Sequence, residues 1–134
     1  MGRVVVGVDG SRASMAALRW AAEEARLRGA VLETVHVFEN TPVWRLSVHQ
    51  QQRDEPVVHL GDVEVEAVMV DSRHPDRVLV ERSEGADLLV VGSRGLGDVS
   101  QMLLGSVSHH CAIHAHCPLV IIHAPPTGDP PAAP

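Results

Sequence analysis

Val4-Val5-Val6-Gly7-Val8-Asp9-Gly10-Ser11 is a short, continuous, β-branched run that stops at a turn. No polar residue alternates with the valines, so the segment from Arg3 to Asp9 reads as a strand covered on both faces, as in the middle of a parallel sheet. Gly10-Ser11 closes it, and Ser11 is suited to cap a helix from about Arg12 to Arg28. In that helix Leu18, Ala21, Ala22 and Ala25 form an apolar stripe, and Gly29 supplies the C-terminal stop. Strand, turn, helix and stop make half of a βαβ unit.

The pattern continues outward from there. Val31 to Phe38 reads as a second strand, parallel to the first through a right-handed crossover. Glu39 to Asp62 carries Pro42, Pro56 and Gln50-Gln51-Gln52, with at most a short helix around Leu46 to Arg53. This connection is longer than the dozen or so residues a parallel crossover needs. Val63 to Val70 begins with alternation and ends apolar, which suits a strand near the sheet edge. Pro75 then opens a helix running to about Glu84, with Val78 and Leu79 inward and Gly85 as its stop. Ala86 to Val91 is another buried strand, followed by the loop Gly92 to Gly97 and a segment from Val99 to about His114 that breaks at Gly105-Ser106. Pro118 leads into a last strand, Leu119 to His123. The alternation indicates one open α/β sheet of five parallel strands. Residues 1–124 form one domain, and residues 125–134 are read as a Pro-rich disordered tail.

Composition excludes several chemistries. All 11 basic residues are Arg, so neither a Schiff-base lysine nor a phosphate loop of the lysine type is available. There is no Tyr, one Phe and two Trp, too few for a base-stacking platform. The net charge of −6 disfavours a nucleic-acid partner. It leaves a small phosphorylated ligand open, because that needs a local array of N–H groups and at most one Arg. Cys111 and Cys117 beside Pro118 read as reduced thiols in a cytoplasmic protein, and no window has the length of a membrane span or signal peptide.

In a sheet of this kind ligands bind beyond the carboxyl ends of the strands, where strand order reverses. Two features fall there: Gly7-Val8-Asp9-Gly10-Ser11, and Gly92-Ser93-Arg94-Gly95 followed after nine residues by Gly105-Ser106-Val107-Ser108. Gly92 and Gly95 remove side chains where backbone must approach a ligand, and Gly105-Ser106 starts a helix whose free N–H groups can hold phosphate. Ser106 and Ser108 add hydroxyls, Arg94 a cation, and Asp9 a carboxylate suited to a ribose hydroxyl pair.

The spacing Gly-x-x-Gly, nine residues, Gly-Ser resembles the nucleotide-binding motif of the ATP-binding branch of the universal stress protein family. Val4 to Ser11, Ala17-Leu18-Arg19-Trp20-Ala21-Ala22, His36-Val37, Ala86 to Gly95 and Cys117-Pro118-Leu119-Val120 are similar to that family in the same order. The resemblance implies a Rossmann-like sheet of order 3-2-1-4-5 with helices on both faces. It also implies binding of ATP or another adenine nucleotide, with Mg2+ accompanying a triphosphate, and a homodimer paired through Leu119 to His123. Carried over, Gly7 and Asp9 lie at the nucleoside and Val37 gives backbone contacts to adenine. Gly92, Arg94, Gly95, Gly105, Ser106, Val107 and Ser108 hold the phosphates and the ribose side. The function so implied is a nucleotide-binding stress-response or signalling module.

Two positions depart from the family pattern. Glu39 to Asp62 is shortened where members usually carry a full helix, which thins one wall of the adenine pocket. Arg73-His74-Pro75 puts Arg where Gly is usual, so that loop takes another path or points Arg73 outward. Other functional classes remain as alternatives: a nucleotide-free dimeric module, or an enzyme of weak ATPase or nucleotidyl-transfer type. No nucleophile is matched to a base in the sequence, so slow ATP hydrolysis would be incidental to binding. His109-His110-Cys111, His114 and His116-Cys117 invite a metal reading, since His110 and His114 share a helical face. No Cys-x-x-Cys or His-Glu-x-x-His accompanies them, and a partly buried helix leading into an edge strand explains the cluster without a metal.

Overall fold

The computed structural model describes residues 2–39, 58–94 and 104–124. The elements in chain order are β1 (Arg3–Gly7), α1 (Arg12–Arg28), β2 (Val31–Phe38), β3 (Val58–Leu60), β4 (Val63–Asp71), α2 (Pro75–Ser83), β5 (Leu88–Gly92), α3 (Ser106–His114) and β6 (Leu119–Ile122). They form one sheet of order β3-β4-β2-β1-β5-β6. The five strands expected from the sequence, now β4, β2, β1, β5 and β6, are parallel and stand in the order 3-2-1-4-5.

The sixth strand, β3, is an addition. It pairs antiparallel with β4 through the two-residue turn Gly61-Asp62, with Gly61 at φ +63°. A Gly-Asp pair between apolar runs is a hairpin signal, and it lay unread inside the connection from Glu39 to Asp62. The short helix expected around Leu46 to Arg53 and the tail from residue 125 fall outside the described residues.

Alternation along the strands separates two cores. Val4, Val6, Leu32, Leu88 and Val90 pack beneath α1, while Val5, Val35, Leu89 and Val91 pack beneath α2 and α3 with Val78, Leu79 and Cys111. The buried stripe of α1 is Ala13, Ala17, Ala21 and Ala25, narrower than the expected one, with Leu18 and Ala22 at its margin. Small residues four apart let this helix lie close to the sheet. Its ends behave as the sequence indicates: Ser11 Oγ accepts from Ser14 N, and Gly29 takes φ +63°. α2 begins at Pro75, and Gly85 follows it at φ +77°.

One buried charge was not anticipated. Glu33 on β2 is 2% exposed and lies on the α2 side of the sheet. Its carboxylate accepts from Arg82 Nε at 3.1 Å and from Arg3 Nη1 at 3.1 Å. Arg3 also donates to Glu84 O, and its amide donates to Asp87, so β1, β2, α2 and the approach to β5 are tied together at the amino ends of the strands. The carboxylate holds Arg82 above its ordinary pKa through hydrogen bonding. Both cysteines are free thiols. Cys111 is buried in the core, and burial, with the nearby Asp76 carboxylate, pushes its thiol up to about 11. Cys117 is half-buried against the same core, and its pKa is raised chiefly by burial, as befits a small hydrophobe. Among the described residues no helix is long and apolar enough to cross a membrane.

Candidate functional site

The carboxyl ends of β1 and β5 are neighbours, and the two loops leaving them meet. In the first, Asp9 and Gly10 are exposed and Gly10 takes φ +85°. The Asp9 carboxylate accepts from Ser11 N at 2.9 Å, and Asp9 N donates to Ser14 Oγ at 3.2 Å, so the turn into α1 is closed on itself. Ser11 Oγ reaches the carbonyl of Arg94 at 3.4 Å, which joins this turn to the loop after β5. Arg94 is half-buried, directly beside it in the chain's fold.

The second loop returns to its own start. Gly105 N donates to Ser93 O at 2.6 Å and Ser108 Oγ lies 3.0 Å from the same oxygen, while Ser93 N donates to Ile122 O on β6. Gly105, with φ −73° and ψ 171°, is the N-cap of α3 and brings no side chain to cap it. The first intrahelical bond runs from His109 N to Gly105 O, so the amides of Ser106, Val107 and Ser108 precede the ladder. No acidic residue stands in this first turn, where one would offset the positive end of the helix. Ser106 is exposed, Val107 half-buried and Ser108 buried.

Val37 sits where the β1 side of β2 runs out of partner. The β1 ladder ends at Gly7 against Val35, with Val8 N donating to Val35 O. Backbone groups of alternate residues point to the same strand edge, so Val37 directs its N–H and C=O to that side, one step further along. Phe38 uses the opposite edge, where its carbonyl accepts from Ser72 N. Phe38 itself is buried, edge-on to His36 with ring centroids 6.5 Å apart.

Two glycines are required by packing within the chain. A Cβ on Gly92 would stand 2.7 Å from the Ala13 carbonyl carbon and 2.8 Å from Ser14 N, so this glycine lets α1 seat on β5. A Cβ on Gly7 would meet Leu79 Cδ1 at 2.8 Å. Gly95 and Trp44 lie outside the described residues. Arg73 is exposed, the outward alternative for the departing loop. His110 and His114 do share a face, with ring centroids 4.4 Å apart, and Asp76 Oδ2 is 3.6 Å from His110 Nδ1. Among the described residues, no three His, Cys, Asp or Glu side chains form a set able to hold a metal.

The sequence profile of the universal stress protein family matches residues 1–123. The chain belongs to the universal stress protein family. A universal stress protein of Mycobacterium tuberculosis is 37% identical over 131 residues, which cover 88% of this chain and 44% of that protein. One from Mycolicibacterium smegmatis is 34% identical over 139 residues, covering 90% and 47%. The chain therefore spans about half the length of the curated relatives it matches. Among solved structures, a universal stress protein in complex with cAMP is 31% identical, with 92% of this chain and 98% of that chain covered and a TM-score of 0.67. The universal stress protein from Archaeoglobus fulgidus in complex with dAMP is 25% identical, with 91% and 98% covered and a TM-score of 0.62.

Within this universal stress protein fold, two rim residues had no site role in the sequence reading. Ser11 shows there only as a helix cap, and Ser93 is one letter between Gly92 and Arg94. Both act through bonds to residues remote in sequence, Arg94 and the start of α3, and the spacing of the motif carries no sign of these.

Proposed function

We propose that this universal stress protein binds an adenine nucleotide, ATP with Mg2+, across the rim formed by the β1 and β5 loops and the start of α3. It would serve as a cytoplasmic, dimeric stress-response or signalling module. The observation that carries the reading is the start of α3: amides ahead of the ladder and no acidic residue in its first turn, held beside Ser93 and Arg94. Such an end favours a phosphate without any lysine. In this reading Gly105, Ser106 and Val107 with Arg94 and Gly95 surround the phosphates, Asp9 meets the ribose, and Val37 offers its backbone to adenine. Gly7 and Gly92 keep the strand ends in place beneath the ligand. The Mg2+ would arrive coordinated by the phosphates. That two similar universal stress proteins were solved with cAMP and dAMP supports an adenine ligand.

The test is thermal unfolding with and without Mg-ATP. Ligand at a hundred times its Kd adds about 2.7 kcal/mol, which for a domain of this size raises Tm by about 10 °C. Adenosine, lacking the groups that α3 would hold, should give a much smaller rise at the same concentration. An unchanged Tm at saturating Mg-ATP would refute nucleotide binding.

The dimer would form at β6, which ends the sheet with all four residues half-buried. An apolar edge strand is covered by pairing with a second copy. Sedimentation equilibrium should return twice the 14.4 kDa chain mass. A single species at the monomer mass at high micromolar concentration would rule the pairing out.

A further inference from the structure

The motif Gly105-Ser106-Val107-Ser108 contains two hydroxyls that read alike in sequence, and the structure separates them. Ser106 is exposed, while Ser108 is 2% exposed. Ser108 Oγ has two carbonyl acceptors, Ser93 O at 3.0 Å and Gly105 O at 3.1 Å. A hydroxyl has one proton to give, and here both acceptors are internal. The contact with Gly105 is the usual back-bond of a serine one turn into a helix. The contact with Ser93 is of another kind, because it crosses from the end of β5 to α3. The same Ser93 oxygen takes the Gly105 amide at 2.6 Å, and the Ser93 amide is anchored on Ile122 O at 2.8 Å. Strand end and helix start are thus joined at the Ser93 carbonyl, and the amide of the same residue is fixed to the neighbouring strand.

Resting on the nucleotide reading above, we infer that Ser108 is a positioning residue for the phosphate site and that its hydroxyl touches no ligand. It holds the first turn of α3 at a set distance from β5, and thereby aims the Ser106 and Val107 amides at the phosphate. Ser106 supplies the hydroxyl that the ligand meets. The Gly105 amide, paired with Ser93 O, belongs to the clasp and not to the donor array.

Two measurements test this together. Amide hydrogen exchange is read in the nucleotide-free protein, and calorimetric titration is done with Mg-ATP and with adenosine. Ser108→Ala is expected to speed exchange at the Gly105 amide at least tenfold, with amides of α1 and the central strands changed less than twofold. The same variant is expected to bind Mg-ATP about tenfold more weakly and adenosine within twofold of wild type. Ser108→Thr, which keeps the hydroxyl, should hold both affinities within threefold, and Ser106→Ala should weaken Mg-ATP without moving Gly105 exchange. Unchanged Gly105 exchange in Ser108→Ala would overturn the clasp, and so would an equal loss for Mg-ATP and adenosine. If the wild-type protein binds neither ligand, the nucleotide reading falls, and the clasp is decided by Gly105 exchange alone.

Discussion

A Glu33→Ala variant is expected to lose about 3 kcal/mol of folding stability and to melt about 10 °C below the wild type. The carboxylate is buried between Arg3 and Arg82, and removing it leaves two partly buried guanidinium groups without their shared acceptor. Breaking one partner out of a buried ionic group costs about 3–5 kcal/mol, since the remaining charge is uncompensated. The lower end applies because the arginine side chains are 28% and 38% exposed and can turn partly toward water. The two sides of the network are unequal: Arg82→Ala leaves Glu33 still paired with Arg3, so its loss should be clearly smaller than that of Glu33→Ala. Urea unfolding at neutral pH measures both. A Glu33→Ala loss below about 1 kcal/mol, the scale of a surface pair, would show that the network contributes no more than an exposed salt bridge. Nucleotide affinity in the folded variant should be unchanged, because the network stands at the opposite end of the strands from the rim.

Gly92→Ala is expected to be nearly as damaging, at about 2–3 kcal/mol, for a steric reason. The added Cβ would fall within 2.8 Å of Ala13 and of Ser14 N. Two of the three atoms it meets belong to the backbone of a helix turn, so no rotamer change relieves the contact. α1 would have to move outward, yet it is held along four buried alanines from Ala13 to Ala25. The first turn of that helix also carries Ser11 and Ser14, which hold Asp9 and reach the Arg94 carbonyl. The variant should therefore lose affinity for Mg-ATP as well as stability, which distinguishes it from Glu33→Ala. Denaturant midpoints with nucleotide titration of the folded fraction measure the two losses. A Gly92→Ala protein of wild-type stability would mean that α1 and β5 have slack between them that the geometry does not show.

Much of the fold was legible because its signals are local. Doubly apolar strands such as Val4 to Val6 and Leu88 to Val91 need cover on both faces, as a parallel sheet between helices provides, and Ser11, Gly29, Pro75 and Gly85 mark helix ends through their own backbone and side-chain chemistry. The hairpin from β3 to β4 is poorly legible although Gly61-Asp62 announces a turn, because the surrounding connection has no periodicity that sets it apart. Glu33 stands in a mostly apolar strand, between Leu32 and Thr34. A lone carboxylate there demands a buried partner, but which arginines answer it depends on the pairing of β1 with β2 and on where α2 ends.

The rim shows the same division. Glycines, serines and their spacing are properties of the chain, and they were enough to put a Gly- and Ser-rich rim at the ends of β1 and β5 and to point to the family. The work assigned to each residue is a matter of three-dimensional neighbours. Gly92 owes its missing side chain to α1, Ser108 turns its hydroxyl to Ser93, and Val37 stands two residues past the last β1 pair, Gly7 with Val35. Sequence carries propensity and pattern, which act within a few residues. Close approach and hydrogen-bond partnership act across the fold, between positions whose separation in the chain says nothing of their distance in space.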